Sequence, residues 1–177
     1  SSFESEDLLQ TMIERYHYLG YTPLVGAQFR YLISCDDGYL GAIGFSASAW
    51  KVAPRDQFIG WSHAARKANL QYVICNSRFL ILPWVQSKNL ASKILSLSSK
   101  RLVVDWGKTY GYQPVLLETY VEKERFSGTC YRAANWIKLG QTQGRGKLDR
   151  NHEHGLPVKD IYVYALRADF RDILCRE

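Results

Sequence analysis

The stretch whose reading decides the fold is QPVLLETYVEKERFSGTCYRAANWIKLGQTQGRGK, Gln113 to Lys147. Pro114 to Leu117 is a short apolar run, and its length and β-branched content suit a buried central strand better than a helix. It breaks into a charged turn, Glu122 to Arg125. Ser127 and Gly128 can then open a helix whose apolar side is Tyr131, Ala133, Ala134 and Trp136. That helix is expected to run to about Leu139, with Gly140 in the left-handed cap position. Beyond it, Gly140 to Arg150 repeats glycine among Arg145, Lys147 and Arg150, a loop whose backbone can approach an anion closely.

Working outward towards the N-terminus, Asn89 to about Tyr110 reads as a long helix with apolar positions Leu90, Ile94, Leu97, Val104 and Trp106, stopped by Gly111. Tyr72 to Cys75 and Phe79 to Leu82 are apolar and extended, interrupted by Asn76, Ser77 and Arg78. Pro83 withholds an amide hydrogen, so the strand is expected to bulge or splay there. A helical region starts at Pro54 and continues to Asn69. Phe29 to Ser34 and Leu40 to Phe45 form a hairpin around Cys35 to Gly38, with Gly41 and Gly44 as strand glycines that either are weak strand chemistry or let a ligand lie close. Asp7 caps a first helix, Leu8 to about Tyr18. Lys159 to Leu166 alternates as a last strand, and Phe170 to Leu174 is a short tail.

With 177 residues, 46% hydrophobic and 23% charged, the chain fits one domain, residues 1–177, with a real core. The net charge of +6 fits either an anionic partner, nucleic acid or a phosphorylated cofactor, or a basic surface that serves only solubility. Its 24 aromatic residues are enough for some to lie at the surface or in a cleft. Cys35, Cys75, Cys130 and Cys175 form no CxxC pair, so reduced, buried thiols are expected. No run is long and apolar enough to span a membrane, and Ser1 to Gln10 lacks signal-peptide character, which points to the cytoplasm. The absence of an initiator Met fits a chain trimmed from a longer one.

Four segments, RDQFIGW (55–61), NSRFLILP (76–83), NLASKIL (89–95) and FSGTCYRAANW (126–136), resemble the DruA-type domain family. That family occurs in Druantia anti-phage defence and beside transposases. More distantly, His17 with Tyr18, the strand ending at Glu122 and Tyr131 to Asn135 are similar to phage Mu Mom, whose fold resembles the GCN5-related N-acyltransferases. The resemblance implies a single α/β (α+β) domain with a mixed central sheet, a splayed fourth and fifth strand pair and flanking helices. In such folds the splay takes the pantetheine arm of an acyl-coenzyme A. Pro83 stands where the bulge is expected, and Leu82, Trp84, Gln86, Ser87, Lys88, Asn89 and Leu90 where the donor and its pyrophosphate are expected. The family's glycine-rich phosphate loop is absent.

The resemblance also makes Tyr131 a proton donor and Glu122 or Glu118 a base, against a reading of Tyr131 as a packed core aromatic. Glu118 within LLET needs a cationic partner if buried, with Arg78 and Arg132 as candidates. Glu122 in a charged turn is solvated on the bland reading. By the likeness to Mom, His17, Tyr18 and Glu122 form a catalytic and iron-binding set, although spacing alone identifies no metal site. His152 and His154 sit on a polar loop, and His63 on a helix face. Lys138, Arg145, Lys147 and Arg150 can track a phosphate backbone while Trp136, Trp84 or Trp61 stacks on an unpaired base. Arg55 and Asp56 read as an ion pair fixing a local turn.

The expected function is that of an acyltransferase-like domain associated with DNA, moving an acyl group from an acyl-coenzyme A donor to a nucleobase or amine in phage defence or transposition. Partners would be DNA, the acyl donor and other defence or transposition proteins, with no membrane. Two alternatives stay open: a non-catalytic DNA-binding module, and a small-molecule transferase with no nucleic-acid role.

Overall fold

The computed structural model of the chain describes residues 26–87, 89–122, 128–143 and 157–177. The expected first helix with His17 and Tyr18, Lys88, most of the charged turn after Glu122, and Arg145, Lys147, Arg150, His152 and His154 lie outside these residues.

Six strands form one mixed sheet: β1 (Gln28–Cys35), β2 (Gly38–Ala47), β3 (Val73–Ile81), β4 (Leu116–Glu122), β5 (Ile137–Gln141) and β6 (Lys159–Ala165), in the order β1-β2-β3-β4-β6-β5. Only the β3–β4 pair is parallel, bridged by the long helix α3 described below; the other pairs are antiparallel. β1 and β2 form the expected hairpin through Asp36 and Asp37. β4 takes the central place expected for the apolar run, beginning at Leu116.

Between β2 and β3 the expected single helical region is two helices, α1 (Ala53–Ile59) and α2 (His63–Asn69). Pro54 suits the first turn of α1, where no amide hydrogen is needed, and Gly60 ends it at φ 77. Ser62 opens α2 by accepting from the Ala65 amide at 3.0 Å. α3 (Leu90–Tyr110) runs 21 residues to Gly111, at φ 79. Its buried stripe is Ile94, Leu95, Ser98, Ser99, Leu102 and Trp106. Leu97, expected inside, is 67% exposed, and Val104 is exposed as well.

The helix expected to reach Leu139 is instead one turn, α4 (Thr129–Ala133), followed by β5. Asn135 stops it in a left-handed conformation, φ 66, and the Trp136 amide folds back onto the Tyr131 carbonyl at 2.9 Å. Trp136 and Ala134 are thereby buried while Ile137 begins an edge strand on β6. Phe170–Leu174 is a short helix, α5.

The sheet divides the core. On one face α3 and α4 cover Ile43, Phe45, Ile74, Leu117, Val121 and Tyr162; on the other α1 and α5 cover Val73, Leu116 and Val163. Gly41 admits protein rather than ligand: a Cβ there would collide with the Leu80 carbonyl, whereas one at Gly44 would make only ordinary contact with the stems of Arg78 and Arg30. Cys75 and Cys130 are partly buried, but Cys35 and Cys175 are exposed at an edge turn and near the C-terminus.

Candidate functional site at the fork between β3 and β4

β3 and β4 pair over three residues only, Val73 with Leu116, Ile74 with Leu117 and Cys75 with Glu118, and then part. The rest of β3, from Asn76 to Ile81, pairs with β2 alone, and the rest of β4 pairs with β6. The fork therefore opens at Asn76 and Thr119, seven residues before Pro83. Pro83 does not cause it, since the Leu82 amide still bonds the Leu40 carbonyl at 2.8 Å. The cause lies at Asn76. Asn76 and Arg78 sit opposite Phe45 and Gly44, so Ser77 is an extra residue, a bulge inside one continuous strand rather than an interruption.

Side chains replace the missing ladder at the base of the fork. Buried Asn76 donates through Nδ2 to the carbonyls of Gly44 (2.9 Å) and Arg78 (3.1 Å). The Thr119 hydroxyl donates to the Asn76 carbonyl at 2.9 Å. The Tyr131 hydroxyl donates to Asn76 Oδ1 at 2.6 Å. The ring of Tyr131 is 8% exposed and packs against Phe79, Trp136 and Tyr162. Gly128 makes this placement possible. It starts α4 at φ 69, and a Cβ there would stand 2.5 Å from the Tyr162 hydroxyl. Gly128→Ala is expected to cost about 2–4 kcal/mol from left-handed strain plus overpacking, measured by urea unfolding.

Successive strand residues point to opposite faces, so Glu118 emerges on the α1 side, away from Tyr131. Its partner is Arg55, not Arg78 or Arg132. Arg55 Nη1 donates to Oε1 and Oε2 at 3.2 and 3.1 Å, and both side chains are 0% exposed. Arg55 also donates to the carbonyls of Ala49 (2.9 Å) and Trp50 (3.3 Å) and to Asp56 (3.0 Å). Asp56 accepts in turn from the Val52 amide, Trp61 Nε1 and Arg66. The local ion pair expected for Arg55 and Asp56 is thus one end of a buried network.

Burial pushes the Glu118 carboxyl up and Arg55 pulls it back, leaving it above the ordinary carboxylate range. Hydroxyls of Ser48 and Tyr120 face this carboxylate, although neither closes a hydrogen bond of ordinary geometry. Part of Cys75 is accessible, but its thiol is desolvated and lies beside Glu118, which keeps it protonated and inert.

The other expected site residues are spread around this fork. Glu122 ends β4 and is 9% exposed, buried rather than solvated because it lies inside the β4–β6 ladder opposite Lys159. Leu82 packs with Leu80 in a small cluster, whereas Trp84 is 62% exposed and Gln86, Ser87 and Asn89 are exposed. Asn89 stands at the start of α3 at φ 61, ψ 12, supplying the left-handed conformation that a glycine loop would supply, and Leu90 follows as the first helical residue. Lys138 pairs with Asp160 at 3.4 Å. Trp136 is buried, and Trp61 is half-buried, bonded to Asp56 through Nε1 with the Arg55 guanidinium 5.7 Å from its ring centroid. Among the described residues no cluster of His, Cys, Asp or Glu could hold a metal ion, and no helix is long and apolar enough to cross a membrane. The iron expectation therefore has no support among them.

Sequence reasoning missed Asn76, Thr119 and the reach of Arg55. For Asn76 and Thr119 the signal was polar character inside apolar strand runs; Arg55, on α1, carried none.

No curated protein sequence matches the chain. Among solved structures, the Drosophila melanogaster polyamine N-acetyltransferase, an enzyme that catalyses formation of N-acetylagmatine, is similar with a TM-score of 0.56 at 11% identity, over 93% of this chain and 96% of that one. The aminoglycoside acetyltransferase AAC(6')-Ib, solved with coenzyme A and kanamycin, is similar with a TM-score of 0.51 at 14% identity, over 81% of this chain and 70% of that one. At such identities the likeness is one of fold, and the fold is that of the GCN5-related acetyltransferases. The likeness to Mom is not carried by these matches. Family is decided by sequence instead: the model of the Druantia protein DruA matches residues 1–153, through the strands of the fork and the turn that carries Tyr131, and the chain belongs to the DruA family.

Proposed function

We propose that this domain is an acyltransferase whose acyl-coenzyme A donor lies in the gap between β3 and β4, and whose acceptor is an amine on a nucleobase. The observation that carries the proposal is the parting of the two strands after three paired residues, with the Tyr131 hydroxyl held at its base. Beyond the fork the facing edges of β3 and β4 are not paired to each other, so they can bond an amide-bearing arm. Exposed Gln86, Ser87 and left-handed Asn89 at the start of the 21-residue α3 fit a pyrophosphate.

Attack of the acceptor nitrogen on the thioester carbonyl forms a C–N bond and breaks the C–S bond. Tyr131 gives its phenolic proton to the departing thiolate, and the proton lost by the nitrogen returns to the phenolate through a carboxylate base. Glu122 is proposed as the base in preference to Glu118, which is committed to Arg55; both leave β4 on the face opposite Tyr131, so the proton passes from the carboxylate to the phenolate through solvent. The net charge of +6 supports a nucleic-acid acceptor, and DruA membership supports a role in phage defence or transposition beside other proteins of such systems. A cytoplasmic site of action goes with a nucleic-acid acceptor in this reading.

Calorimetric titration with coenzyme A tests the donor site. Micromolar to sub-millimolar binding is expected, with a rise in melting temperature that grows with ligand concentration. No binding at millimolar coenzyme A would overturn the proposal. One observation favours a second reading, a DNA-binding module without catalysis: the Tyr131 hydroxyl is already engaged by Asn76 in a buried setting. Duplex binding that weakens steeply with salt, without any coenzyme A binding, would select that reading.

A further inference from the structure

We infer that Arg55 is a positioning residue, a strut that fixes where and how far β3 and β4 part. The inference deepens the donor-site reading above, but its physical basis is independent of any ligand. Glu118 is the last residue of β4 paired with β3. One guanidinium nitrogen, Arg55 Nη1, bonds both its carboxylate at 3.1 Å and the Ala49 carbonyl at 2.9 Å, and Nη2 reaches the Trp50 carbonyl at 3.3 Å. Ala49 and Trp50 belong to the segment that leaves β2, on the far side of β3 in the sheet. The contact therefore ties β4 to β2 across β3, beside the Cys75 thiol that feels both charges.

A fully buried ion pair is a poor device for stability alone, because an apolar pair of similar volume does as well or better. It is a good device for geometry. The fork of a guanidinium fixes several acceptors at set directions, which an apolar contact does not. Asp56 completes the strut by holding Arg55 Nε at 3.0 Å while it is itself anchored by Val52, Trp61 and Arg66. Downstream of this point the side chains of Asn76, Thr119 and Tyr131 link the two strands at the base of the gap, so the strut sets the pivot about which the gap widens or closes.

The experiment compares the parent protein with Arg55→Met/Glu118→Leu, which removes both charges and leaves neither buried alone. The single variant Arg55→Lys keeps the charge and loses the fork. Melting temperature, amide hydrogen exchange and coenzyme A affinity are measured on each. A melting temperature near the parent value is expected for the double variant. Exchange is expected to accelerate at least tenfold in the seam residues 73–75 and 116–118, while β1, the β2–β3 ladder beyond Asn76 and α3 stay as protected as before. Coenzyme A affinity is expected to fall about tenfold, and Arg55→Lys is expected to show the same local pattern more weakly. Unchanged exchange at the fork in the folded double variant, or acceleration spread evenly over the sheet, would overturn the strut. If the parent binds no coenzyme A, the donor reading fails and the exchange measurement still decides the strut.

Discussion

Arg55→Met alone will destabilise the protein by about 3–5 kcal/mol, the cost of leaving a buried carboxylate without its cation. For a chain of 177 residues this is a drop of roughly 6–20 °C in melting temperature. The pH dependence identifies the cause. Burial already pushes Glu118 above the ordinary carboxylate range, and removing Arg55 takes away the positive charge that most opposes it. Between the unfolded and folded pKa values the folded state then holds a proton that the unfolded state has lost, so stability falls as pH rises through that window. The variant is expected to come closest to the parent protein at mildly acidic pH and to lose ground steadily towards neutrality. Adding Glu118→Gln should flatten the profile. A pH-independent loss would mean that packing of the arginine stem, not the charge, was the missing contribution.

The second large effect belongs to Tyr131. Tyr131→Phe removes one hydroxyl and leaves Asn76 Oδ1 without its 2.6 Å donor at a buried position. The stability cost should be modest, about 1–3 kcal/mol, because the ring keeps its packing on Phe79, Trp136 and Tyr162. Under the proposed chemistry the rate cost is far larger, about 10²–10⁴ in kcat, since the departing thiolate loses its proton donor. Release of free thiol from acetyl-coenzyme A in the presence of amine-bearing oligonucleotides measures it. Coenzyme A affinity should change little. Equal rates for parent and variant would make Tyr131 a packing residue and move the proton donor elsewhere.

Much of the architecture was legible because hydrophobic period and turn chemistry are local. Asp37 and Gly38 closed the first hairpin, Gly111 stopped the long helix at its expected residue, and the apolar run after Pro114 became the central strand. The misplaced features depend on partners distant in sequence. Ile137 to Gln141 is a strand because β6 offers an edge, which nothing near Ala134 announces. Pro83 was the visible strand breaker, yet the parting of β3 from β4 follows from Asn76, whose bonds to Gly44 and Tyr131 span 32 and 55 residues. In the same way Glu118 could be read as needing a cation, but Arg55 stands 63 residues away and looked like part of a turn. The position of Tyr131 at the fork followed from the fold resemblance rather than from its own neighbours.

A sheet joined by so short a parallel seam is, mechanically, two antiparallel leaves, β1-β2-β3 and β4-β6-β5, hinged on three residue pairs. Each leaf is dominated by pairings between antiparallel neighbours, whereas the seam waits for the crossover through α3 to close, and non-local parallel pairing is the slower kind to form. Docking of the leaves is thus expected as the late step of folding, and pulling them apart as the earliest yielding event under load.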